Sequence, residues 1–149
     1  MKLAEALSLR ADLQKRVAQL KQRLKDNVKI EEGDSTIENP ENLFTEFDRS
    51  LVKLEELIYR INTTNMHTQH NGTSLTQLIA QKDILALRIA TLREAYKHIT
   101  ERERFGRNEI KYIRTIDAEK LSQQIDSYSQ QFRKLDLELQ SVNWAIDLE

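Results

Sequence analysis

The chain has 149 residues, 32% of them charged and 39% hydrophobic, and its 23 Lys and Arg nearly cancel its 24 Asp and Glu. That length suits one domain, and the charge balance leaves no global field drawing the protein to nucleic acid or an anionic membrane. The absence of cysteine excludes disulfides, a thiol nucleophile and a thiolate-bound zinc or iron–sulfur cluster.

Only three Gly and one Pro interrupt the sequence, so long helices are expected. In the opening MKLAEALSLRADLQKR, Glu5, Arg10 and Asp12 break any apolar run before it reaches the roughly 7–15 residues of an export-signal core. No stretch approaches the roughly 20 apolar residues of a membrane span, and a cytoplasmic protein is the expectation. The first helix is expected over about 2–28, with Leu3, Ala6, Leu13, Val17, Leu20 and Leu24 on one face. Arg10 falls within that seam, where a polar residue weakens packing while fixing register.

The acidic, polar stretch 31–39 then ends the pattern, and Asn39-Pro40 restarts it, since Asn caps well and Pro suits the first helical position. The second helix is expected over about 40–62, burying Leu43 or Phe44, Phe47, Leu51, Leu54, Ile58 and Ile61. Residues 62–74 are rich in Thr and Asn and hold Asn71-Gly72, the dipeptide of two-residue hairpins. A small ribbon or extended loop is expected there.

Ser74 and Gln77 fit a capping box opening a third helix over about 75–104, with Leu75, Leu78, Lys82, Leu85, Ile89, Leu92, Tyr96 and Ile99 as its seam. The segment 109–117 (EIKYIRTID) is rich in β-branched and aromatic residues and reads as a short strand, expected to pair with the Asn71-Gly72 ribbon. Asp117 caps a last helix over about 118–147. There Leu121, Ile125, Tyr128, Phe132, Leu135, Leu139, Val142 and Ile146 follow at steps of four and three, the spacing of a coiled-coil seam.

The expected fold is mainly α: long antiparallel amphipathic helices, as a four-helix bundle or coiled-coil hairpins, with a small β-ribbon from the 62–74 and 109–117 connectors. Leu87, Leu137 and Trp144 lie beside narrow seams, either as flanking core of one bundle or as surface that a second chain covers. Homo-oligomerisation is expected from the second alternative.

Several segments resemble a family of small bacterial helical proteins of unknown function, some of which carry the label septicolysin. They are MKLAEALSLRADLQKR, RINTTN at 60–65, LTQLIAQKD and LALRIATLR between Leu75 and Arg93, NEIKYIRTID, and the closing NWAIDLE. The resemblance implies a helical architecture and a bacterial or phage source, and assigns no residue a role. The label implies a cytolysin, for which export and insertion would require an export signal and membrane-spanning or amphipathic segments. The charged outer faces of these helices suit water and protein partners instead.

The densest polar grouping joins Arg60, Asn62 and Asn65 with Asp83 and Arg88, and with Lys111 and Asp117 if the second connector crosses the same bundle end. There the cations would grip an anion while Asn side chains orient it; the competing reading is that these groups cap helix ends and satisfy connector backbone. His67 and His70 are two loop histidines rather than a ligand set, and His98 is most simply a solvated helix residue. The segment 101–107 (ERERFGR) offers cations and one aromatic for nucleic acid, but its glutamates pair those arginines equally well. No catalytic residue, metal or cofactor is implied. The expected function is a cytoplasmic, non-enzymatic helical assembly or partner-binding protein acting through coiled-coil faces. Two alternatives remain open, an anion-binding protein or enzyme using the polar cleft, and a nucleic-acid-associated accessory protein.

Overall fold

In the computed structural model, residues 1–101 and 110–149 are described. They comprise helices α1 (Leu3–Asn27), α2 (Pro40–His67), α3 (Leu75–Thr100) and α4 (Ala118–Ala145), with two-residue strands β1 (Gln69–His70) and β2 (Thr73–Ser74). The chain divides into two units, residues 1–74 with 141–149, and residues 75–140.

In the first unit α1 and α2 run antiparallel. Arg16 Nε donates to Glu46 Oε1 at 3.1 Å, and seven residues further along α1 the Arg23 guanidinium grips both oxygens of Glu38, eight residues earlier in the chain. Leu20, Leu24 and Leu43 pack together, with Phe47 against them. Leu3 and Ala6 are buried as the α1 pattern predicts, and Arg10 is half-buried within that seam, its Nε enclosed without a partner. Asn27 is buried yet satisfied, for its amide donates to Arg23 O and its Oδ1 accepts from Glu38 N–H, both at 2.9 Å. One side chain thus finishes α1 and anchors the returning linker. Asn39 Oδ1 then accepts from the Glu41 and Asn42 N–H groups, with Pro40 at the first helical position as expected.

The α2 seam differs from the expected one. The inward positions are Leu43, Phe47, Ser50, Leu54, Leu57, Ile61 and Thr64, a regular alternation of four and three, whereas Leu51 and Ile58 are exposed. Counting apolar residues alone misses Ser50 and Thr64. Each is tolerated inside because its hydroxyl donates to the carbonyl four residues earlier, Glu46 O at 2.8 Å and Arg60 O at 2.9 Å. Thr64 Oγ1 also accepts from Glu149 N–H at 3.0 Å. Such bonding carries α2 to His67, five residues past its expected end. Asn71 (φ 51°) and Gly72 (φ 79°) close the hairpin of β1 and β2, both adopting the positive φ that a type I′ turn requires.

Residues 141–149 close the first unit. Leu3 N–H donates to Ile146 O and Leu148 N–H to Met1 O, each at 2.9 Å, and Lys2 Nζ reaches Asp147 at 3.0 Å. Leu148 is buried beneath this pairing.

In the second unit α3 and α4 are antiparallel. Lys82 Nζ meets Asp136 Oδ1 at 3.0 Å, while six residues further along α3 the Arg88 guanidinium lies 4.9 Å above the Tyr128 ring, eight residues earlier on α4. The terminal seam expected for α4 faces inward throughout, with Leu121, Ile125 and Leu139 buried and Tyr128, Phe132 and Leu135 half-buried. The predicted ribbon partner is corrected: residues 110–117 carry no strand, and among the described residues β1 and β2 of the first connector pair only with each other. The second connector is held elsewhere, with Arg114 Nε donating to Ile99 O at 2.8 Å and Asp117 Oδ1 accepting from Glu119 N–H at 2.9 Å to cap α4. Glu109, the end of α3 expected near 104, and 102–107 of the candidate nucleic-acid segment lie outside the described residues.

The Lys82 hydrogen bond, its charge and a second bond from Gln140 hold the Asp136 carboxyl below the usual carboxylate range, against the smaller opposing effect of burial. A folded value below the unfolded one stabilises above about pH 4 and is lost as pH falls through the folded value. Asp136→Asn should therefore lower Tm at pH 7, and the gap to wild type should close as the pH falls below about 4 in melts followed by circular dichroism. A gap independent of pH would mean the pair contributes packing alone.

Candidate functional site

The true register of α2 leaves a second face uncovered. Phe44, Leu51 (39% exposed) and Ile58 (36%) recur at intervals of seven, and Tyr59 and Met66 continue the apolar surface. At about 100° per residue, Glu41, Asp48 and Glu55 fall within about 60° of the Phe44 line, whereas Arg49, Lys53 and Arg60 fall about 140–180° from it. The face is therefore apolar and acidic, with no cation in it. Asp48 and Glu55 are exposed and make no side-chain bond among the described residues.

The second unit carries a groove of opposite character. Ala86, Ile89, Ala90 and Arg93 of α3 and Ser129, Phe132 and Arg133 of α4 line a hollow of about 320 Å³. The two arginines make no side-chain hydrogen bond or ion pair among the described residues, and Ser129 Oγ is enclosed without a partner. Small side chains in the α3 wall leave room for an incoming backbone, and the cations lie at its rim. Sequence inspection passed over both arginines because each looks like an ordinary solvated charge. Their signal was position, Arg93 four residues after the seam residue Ile89 and Arg133 next to Phe132.

The seven residues expected to form a polar cleft are divided, Arg60, Asn62 and Asn65 in the first unit and Asp83, Arg88, Lys111 and Asp117 in the second. Within each unit, no side-chain hydrogen bond or ion pair joins any two of them. Arg60 Nε donates to Glu149 O at 2.6 Å, and Arg60 also lines a hollow of about 280 Å³ with Leu9, Leu13 and Leu57. Arg88 lies over Tyr128 and Asp117 caps α4, while Asn62, Asp83 and Lys111 are exposed. Within the second unit Asp83 sits sixteen residues before Ile99, the residue bonded to the connector, or roughly 24 Å of helix rise. His67 Nδ1 is 2.8 Å from Glu149 Oε2 and His70 Nε2 is 3.2 Å from the Asn71 amide. Among the described residues, no group of three His, Cys, Asp or Glu is placed to hold a metal ion, and no helix is long and apolar enough to cross a membrane.

No curated protein matches the chain. It is similar, at 34% identity and with a TM-score of 0.93, to a protein of Corynebacterium diphtheriae whose crystal structure is described as that of a functionally unknown conserved protein, covering 100% of this chain and 99% of that one. A family of unknown function matches residues 10–148, and neither description supports the cytolysin implied by the septicolysin label. With that match spanning nearly its whole length, the chain belongs to the Family of unknown function (DUF6847).

Proposed function

We propose that the protein is a cytoplasmic, non-enzymatic assembly module that binds helical partners, copies of itself included, through the outer face of α2. The observation carrying this reading is the heptad of Phe44, Leu51 and Ile58, which the α1–α2 pair leaves uncovered. Repeats of seven on one helix make a continuous seam, and a seam of large apolar residues is stabilised when another helix excludes water from it. Acidic residues between them keep the free face soluble and select against unsuitable partners.

Light scattering tests it. The wild type at micromolar concentration should show at least twice the 17.5 kDa of one chain, and Leu51→Asp with Ile58→Asp should return the single-chain mass with helicity retained. A wild type that stays at 17.5 kDa over a hundredfold concentration range rejects self-assembly.

A further inference from the structure

We propose that the acidic α2 face of one copy docks in the arginine-rimmed groove between α3 and α4 of a second copy, with Asp48 and Glu55 meeting Arg93 and Arg133. The proposal rests on the assembly reading and names the surface that receives α2.

Charge disfavours the simplest alternative, α2 against α2. An antiparallel pair centred between Leu51 and Val52 sets Asp48 opposite Glu55, and a parallel pair sets Asp48 on Asp48. Like charges are thereby desolvated together in either arrangement, which disfavours both. The acidic face requires a cationic receiver, and the groove supplies two arginines unpaired among the described residues.

Spacing points the same way. The Lys82–Asp136 and Arg88–Tyr128 contacts fix the register of the hairpin, so that Arg133 is level with residues 84–85 of α3. Arg93 stands eight or nine residues further along, roughly 12–13 Å, against roughly 10.5 Å between Asp48 and Glu55. Arginine side chains span that difference. Leu51, midway between the two acids, then falls over Ala86 and Ala90, whose methyl groups permit the 8–10 Å axis separation of packed helices. One heptad along, Phe44 or Ile58 comes level with Leu137, one turn past Arg133 and exposed. Stripe and groove are different surfaces and each copy offers one of each, so the contact is made either reciprocally in a twofold pair or from copy to copy in a ring or open chain.

The test is a charge exchange on the full chain, with helicity monitored by circular dichroism. R93E/R133E turns the groove acidic and D48R/E55R turns the stripe basic; each variant alone should self-associate about a hundredfold or more weaker than wild type. Mixed in equal amounts they should assemble, since both the native contact and its reversed counterpart become complementary. A wild type that does not self-associate defeats the assembly reading and this pairing with it. If the wild type assembles and R93E/R133E does so with equal affinity, the pairing is wrong and assembly stands. Folded single variants that stay apart when mixed also overturn it.

Discussion

Leu57→Asp is expected to destabilise the first unit strongly, while the same substitution one residue later, Ile58→Asp, is expected to leave its intrinsic stability nearly unchanged. Leu57 is 6% exposed on the face of α2 turned to α1, and Ile58 is 36% exposed on the outer face. Burying an unpaired carboxylate at residue 57 costs about 4 kcal/mol or more. At 2–4 °C per kcal/mol for a chain of this size, Tm falls by roughly 8–16 °C. At residue 58 the carboxylate remains in water. Any fall there should equal the concentration-dependent part of the wild-type Tm, the part that association contributes. Circular dichroism melts of both variants over a range of concentrations decide the matter. Equal destabilisation at dilution would place both residues inside and remove the uncovered face on which the proposed assembly depends.

That pair of neighbours also shows where sequence reading reaches and where it stops. The last helix is legible because its inward positions are nearly all large and apolar, so the pattern of hydrophobic residues and the pattern of burial coincide. In α2 they separate. Ser50 and Thr64 occupy seam positions, and their fitness depends on hydroxyl bonds to Glu46 O and Arg60 O that no residue count displays. An apolar tally therefore slides onto Leu51 and Ile58, the residues that give the outer face its character. The hairpin turn was legible for the opposite reason: Asn71-Gly72 encodes positive φ locally, independent of anything distant. The second connector misled because β-branched composition speaks to strand formation only where a partner edge is present, and residues 110–117 carry no strand, with Arg114 bonded instead to Ile99 O at the end of α3. As for sites, the sequence marks polar residues by density, whereas the groove rim is defined by two arginines forty residues apart, brought together by hairpin register.

Leu20→Ala carries the second large expected effect, about 3 kcal/mol, within the range found when a buried leucine is cut back to its β-carbon. Leu20 is fully enclosed, and its neighbours Leu24, Leu43 and Phe47 are held from both helices of the first unit. The cost has two parts, the transfer free energy of the lost methyl groups and the void they leave. The void persists because the surrounding side chains relax only partly, and the Arg16–Glu46 bond between the helices and the Arg23–Glu38 bond from α1 to the linker oppose closure on either side of Leu20. Leu43→Ala faces the same pocket from α2, and the two losses should be non-additive, with the double variant milder than the sum by about 0.5 kcal/mol or more, as for residues that share one cavity. Urea unfolding of the single and double variants measures both quantities. Strict additivity would mean the two leucines occupy independent sites, contrary to the cluster in which they pack.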